Sequence, residues 1–147
     1  MLALLFLLAI SALPDGEIVA HGGELAGPPT QTVAKEAAEI AAYGFSEVPG
    51  NSRLQAALAL ADANARAELV KHARTRIEDS LKSHSTESSE QIEALTRELS
   101  HGLLPALELP QHGWRKLKRG SEIVLQVWAR VSIPQSRFDE LLQGALK

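Results

Sequence analysis

Between Leu54 and Leu81 the chain repeats small and aliphatic residues at steps of three or four: Leu54, Leu58, Ala61, Ala65, Leu69, Ala73, Ile77 and Leu81. An α-helix turns once every 3.6 residues, so these side chains fall on one stripe. Asp62, Arg66, Lys71 and Arg74 fall on the opposite side. So long a stripe has to be covered, and its alanines let the helix backbone come close to whatever covers it. A flat sheet is the natural cover. Ser52 can cap the first turn. Each Leu or Ile buried along the stripe contributes about 1.5–3 kcal/mol.

The sheet is announced by the cleanest alternation in the sequence. Ile123, Leu125, Val127, Ala129, Val131 and Ile133 point one way, while Gln126, Trp128, Arg130 and Ser132 point the other, with Val124 the apolar exception. Lys118-Arg119-Gly120-Ser121 makes a hairpin turn before this strand. The incoming strand is expected around Leu107 and Leu109, with Pro110 confining it to an edge or forcing a bulge. Glu39–Val48 is a further strand, in which Gly44 marks a bulge or a close backbone approach. A second helix runs from Ser89 to Gly102 with Ile92, Leu95, Leu99 and Leu103 inward. A closing helix starts at Pro134 and packs through Phe138, Leu141, Leu142 and Ala145. Ser80–Ser89 is a loop, or a short edge strand around Leu81–Ser85. The order predicts an α+β fold: a small antiparallel sheet of three or four strands, a long helix and a second helix on one face, and a C-terminal helix.

The chain has 147 residues, enough for one domain. Met1–Leu13 is an apolar run shorter than the roughly 20 residues of a membrane-spanning helix, and it suits the core of a secretory signal. Residues 1–12 are therefore read as a signal peptide cleaved after Ala12, although no Lys or Arg precedes the run. The alternative is a buried N-terminal helix, against which the lack of amphipathic pattern in Leu2–Ile10 weighs. Residues 13–38 hold Gly16, Gly22, Gly23, Gly27, Pro28 and Pro29 and are read as a linker, leaving 39–147 as the domain. An exported protein, periplasmic or at the cell surface, is the expectation.

Strand YGFSEV, helix ALADANARAEL, a Ser-rich stretch, a Trp-bearing strand and the strand IVLQVWARVSI together resemble the LPP-twenty lipoprotein family, whose domains also form part of a flagellar T-ring outer-membrane protein. The resemblance spans roughly Glu39 to Ile133. It implies a bacterial envelope protein without catalytic motif. Members of that family are often lipid-anchored through cysteine. This chain has no cysteine, which removes such an anchor, disulfides and thiol chemistry alike.

A net charge of −3 sets up no field for nucleic acid. No cofactor is expected. The histidines, His21, His72, His84, His101 and His112, show no paired ligand spacing, so no metal site is expected either. There is no GxSxG elbow or phosphate-cradling glycine motif, and Glu47, Glu78, Asp79 and Glu108 do not stand out from solvated carboxylates as a glycosidase pair. No catalytic residue is assigned. Trp114 and Trp128 are the residues of interest. With an even hairpin register they share the sheet face opposite the Ile123–Ile133 row, and with Arg115 and Arg130 they form a partner-binding patch; a covered face or a plain cross-strand pair is the alternative. An open edge at Ala106–Leu109 would add to it. The cluster Arg115-Lys116-Leu117-Lys118-Arg119 either meets anionic headgroups or polysaccharide, giving peripheral membrane association, or is a solvated hairpin tip. The expected function is a non-enzymatic envelope module that binds a protein partner or assembles with itself. The alternative is a small-molecule or glycan-binding domain with a pocket between the long helix and the sheet.

Overall fold

A computed structural model describes residues 16–82 and 89–147. The signal-peptide reading, His84 and most of the proposed Leu81–Ser85 strand lie outside the described residues. The elements are β1 (Glu17–Gly23), β2 (Val33–Glu36), β3 (Glu39–Pro49), α1 (Leu54–Leu81), α2 (Ser89–Leu103), a 3₁₀ turn (Leu104–Ala106), β4 (Gln111–Arg119), β5 (Glu122–Pro134) and α3 (Gln135–Leu146). The strands form one open sheet in the order β1-β4-β5-β3-β2, with all neighbours antiparallel.

The α+β class therefore holds, with five strands and three helices in place of the smaller sheet expected. Both additional strands come from the stretch read as a linker. β1 pairs with β4 and β2 with β3, so residues 17–23 and 33–36 are the two edges of the sheet. The connecting segment read as an open edge is not one: Ala106 is in the 3₁₀ turn, and the Glu108 N–H donates to the Ser132 carbonyl. The incoming hairpin strand starts only at Gln111, after Pro110.

α1 lies across the sheet as its stripe requires. Ala57, Ala61, Ala65, Leu69, Ala73 and Ile77 are buried, and they share one cluster with Leu125, Val127, Ala129, Val131 and Ile133 of β5 and Ile40 and Ala42 of β3. Ile123, the first residue of the alternating row, is 45% exposed. At Gly44 the two layers meet backbone to backbone. A Cβ there would sit 2.2 Å from the Ala61 carbonyl oxygen and 2.4 Å from the Ala65 nitrogen, so the sheet meets bare helix backbone. Ser52 does not cap α1; its N–H instead closes a turn onto the Pro49 carbonyl, and Arg53 is the residue preceding the helix.

α2 docks mainly on α1 and α3, not on the sheet as expected. Leu99 and Leu103 enter the core, and the buried hydroxyls of Thr96 and Ser100 donate back to the Ile92 and Thr96 carbonyls, each at 2.7 Å. α3 starts after Pro134 and buries Phe138, Leu142 and Ala145.

Two tight turns set the hairpins. Gly120 takes φ 63° between β4 and β5, as a two-residue hairpin turn requires. Between β2 and β3 the same role falls to Ala37, at φ 53°, where its Cβ crowds the following carbonyl.

Two substitutions test this arrangement. Gly44→Ala is expected to lower unfolding stability in urea by at least about 3 kcal/mol, because helix backbone cannot yield as a side chain can. Ala37→Gly is expected to raise it by about 1 kcal/mol, the relieved strain exceeding the added freedom of the unfolded chain. A neutral Gly44→Ala would mean that α1 does not sit on β3 as described.

Candidate functional site

Directly opposed residues in an antiparallel sheet share a face, so the register defines cross-strand rows. On the face away from the helices, Gly23, Gly113, Trp128 and Phe45 form one row across β1, β4, β5 and β3. The next row toward the β4–β5 turn is His21, Arg115, Gln126 and Glu47, and the row beyond carries Ile18, Leu117, Val124 and Pro49. On the other side of the Trp128 row stand Gln111, Arg130 and Tyr43.

This register corrects the expected tryptophan pair. Trp114 opposes Val127 and Gly22, so it lies on the helix face and packs against the core cluster. Trp128 lies on the opposite face. Each indole rests over a glycine of the neighbouring strand: a Cβ on Gly22 would be 2.8 Å from Trp114 Nε1, and one on Gly113 would be 2.2 Å from Trp128 Nε1. Arg115 and Arg130 do share the face of Trp128, one row to either side of it.

The two arginines differ in their surroundings. Arg130 reaches Glu39 at 3.1 Å, Glu36 at 3.5 Å and the Gln111 amide oxygen at 3.4 Å, while the Tyr43 hydroxyl also donates to Glu36. Burial by itself works against the Arg130 charge, yet the hydrogen bonds with Tyr43 and Glu39 and the charge of Glu36 outweigh it and push its pKa up. Burial and the Glu36 carboxylate raise the Tyr43 pKa. This group ties β2, β3 and β5 together at one end of the sheet. Arg115 donates through Nε to Gln126 Oε1 at 2.7 Å, and its guanidinium carbon lies 5.9 Å from the centre of the Trp128 ring. Burial, with Arg119 nearby, lowers its pKa. Gln126 passes its own N–H to Glu47 at 2.9 Å, and Glu47 pairs with Arg119 at 2.9 Å.

Above Trp128 the chain after β1 folds back over the sheet. The Leu25 N–H donates to the His112 carbonyl, and the Glu24 carboxylate accepts the His112 N–H at 3.1 Å. A cleft of about 460 Å³ results, lined by Ile18, His21, Leu25, Ala26, Arg115 and Trp128 among others. Trp128 is 2% exposed, and its Nε1 is the buried side-chain polar atom left without a partner among the described residues. Beside it Phe45 is 42% exposed. Two further clefts, of about 510 and 350 Å³, open at the margins between α1 and the sheet. The first lies near Phe45 and Asn64, the second near His112 and Asp62.

The remaining candidates are dispersed. Strand alternation splits the basic cluster: Arg115 and Arg119 point with Trp128, Lys116 and Lys118 point to the other face, and Leu117 is fully buried. Glu47 has its pKa lowered by Gln126 and Arg119, the wrong direction for a proton donor. Glu78 pairs with Arg74 at 3.0 Å, and Asp79 with Lys82 at 3.3 Å. His112 meets Asp62 at 2.8 Å, a strand-to-helix tether that the sequence reading missed because it placed Asp62 on the solvent side of α1. No group of three or more His, Asp and Glu among the described residues could hold a metal.

His72 packs against the Phe138 ring, with centroids 5.5 Å apart. Burial, reinforced by Arg76 and Lys35, pushes its pKa down from the usual value of about 6.5. The unfolded chain thus takes up the proton first. Stability contributed by neutral His72 is complete above about pH 6.5 and is lost as pH falls from there through the lower folded-state pKa. His72→Gln is expected to flatten the dependence of the urea midpoint on pH in that window. An equally steep profile in the variant would place the titrating group elsewhere.

Among the described residues no helix is long and apolar enough to cross a membrane. Comparison with known proteins finds no family model, no curated protein and no solved structure that matches the chain.

Proposed function

We propose that this chain is a non-enzymatic interaction or assembly module of the bacterial cell envelope, exported by its apolar leader, of the kind that resemblance to the LPP-twenty family implies. It works by contact with an envelope protein or with a second copy of itself. The observation that carries this reading is the part of the sheet face turned away from the described helices that holds Phe45. There the exposed ring of Phe45 stands beside Trp128, with Arg115 and Arg130 one row to either side. Aromatic rings and arginines dominate the energetics of protein interfaces, since each offers wide contact area together with an apolar body or a directed set of donors. Trp114 belongs to the core side and takes no part.

Trp128 is buried, so its role is to support the surface from beneath. Phe45 is the residue to test. A photo-crosslinking side chain at position 45, in the intact envelope, is expected to give one dominant adduct, either with this chain or with one other envelope protein. Phe45→Glu, measured by sedimentation for self-association or by titration for the partner, is expected to weaken that contact by about tenfold or more while leaving the unfolding temperature nearly unchanged. Adducts no stronger than those from the equally exposed Leu60 on α1 would sink the proposal.

A second reading, a small-molecule or glycan-binding domain with a pocket between the long helix and the sheet, is favoured by the clefts at the margins of α1.

A further inference from the structure

A partly exposed guanidinium can satisfy its N–H groups with fixed acceptors or leave them to solvent, where a ligand can take them. Arg130 takes the first course, with Glu36, Glu39 and Gln111. Arg115 takes the second: of its five N–H groups one donates to Gln126, the others face solvent, and no carboxylate lies within ion-pair distance of it among the described residues. At the same cleft the buried Trp128 indole N–H has no acceptor among the described residues. Of the acceptors near this cleft, Gln126 takes one Arg115 N–H and gives its own amide to Glu47, while the Glu24 carboxylate at the rim accepts the His112 N–H.

We propose that the cleft over Trp128 is a binding site for a small carboxylic acid with an apolar body, its carboxylate held by the free Nη groups of Arg115. A guanidinium presents two parallel N–H donors at the spacing of the two oxygens of a carboxylate. Ile18, Leu25 and Ala26 line the same cleft with apolar surface, and the nearly buried Trp128 lies at its floor. The volume, about 460 Å³, suits an acid of the size of phenylacetate or hexanoate. Charge selects a monoanion. Arg115 supplies one positive charge, and Glu24 at the rim repels a second negative one. His21, directly opposite Arg115 across the β1–β4 pair, stands at the mouth. The site goes beyond the partner surface and does not depend on contact at Phe45.

The test is a titration of the nitrogen-15-labelled protein at neutral pH, with the Trp128 indole signal assigned in a Trp114→Phe background. Phenylacetate and hexanoate are expected to shift that signal saturably at millimolar concentration. Phenylacetamide, which lacks the charge, is expected to leave it in place, and inorganic phosphate to bind at least about tenfold more weakly. Arg115→Gln should weaken phenylacetate by about tenfold or more. Ala26→Trp, which fills the cleft from its exposed rim and keeps every charge, should abolish binding, so the site remains testable if the arginine variant fails to fold. Absence of a saturable shift with either acid overturns the proposal. So does Ala26→Trp binding like the parent protein, or phosphate binding as tightly as the carboxylates.

Discussion

The fold depends on how closely α1 can approach β3. At Gly44 the strand has no side chain, and at Ala61 and Ala65 the helix has the smallest one that preserves helix propensity. Any larger group at these positions separates the two layers. The rest of the buried set follows from this distance: Leu69 and Ile77 of the same stripe then reach the sheet row of Leu125, Val127 and Val131, and Phe138 of α3 closes the end of the layer against His72. The long helix is stable because of this face. Alone it has no side-chain cap and no acidic residue in its first turn to favour its N-terminal dipole.

What the sequence made legible divides by the kind of signal. Helix stripes and the β5 alternation carry many apolar residues at fixed period, so α1, α2, α3, β3 and β5 could be placed with nearly their observed bounds. The edge strands could not. β1 is Glu-Ile-Val-Ala-His-Gly-Gly, and its glycines read as entropy cost without reward. In the folded protein each has a specific neighbour: Gly22 lies beneath Trp114, and Gly23 crowds Gly113 and the His112 carbonyl. A glycine is costly in a strand until an indole from the adjacent strand fills the space, and a single sequence does not say which tryptophan belongs to which glycine. β2 is only four residues long and owes its place to the Ala37 turn, a conformation that alanine composition does not suggest.

The same limit explains the misplaced tryptophan. Trp114 and Trp128 share a hairpin, but faces are set by the sum of their positions across it, and one residue of offset exchanges them. Sequence places the turn at Lys118–Ser121 without fixing which two residues occupy it. The observed two-residue turn at Gly120 and Ser121 opposes Trp114 to Val127 and sends the two rings to opposite faces. Arg115 and Arg130 survived this correction because both have the parity of Trp128 under the observed register.

Those two arginines also show how one residue type can serve structure at one end of a sheet and remain uncommitted at the other. Arg130 lies where β2, β3 and β5 bring Glu36, Glu39 and Tyr43 together, so its charge is neutralised by the fold and its removal would leave two neighbouring half-exposed acids without their cation. Arg115 lies where β1 sets His21 opposite it, and Arg119, further along the same face of β4, is of like sign and pairs with Glu47. The strand order creates this difference. β1 covers β4 with a row that offers histidine and glycine, and the segment after it roofs Trp128 with Leu25. An apolar floor, a cation with no ion-pair partner among the described residues and a roof held by two hydrogen bonds to His112 therefore meet at the sheet edge whose composition reads as a linker.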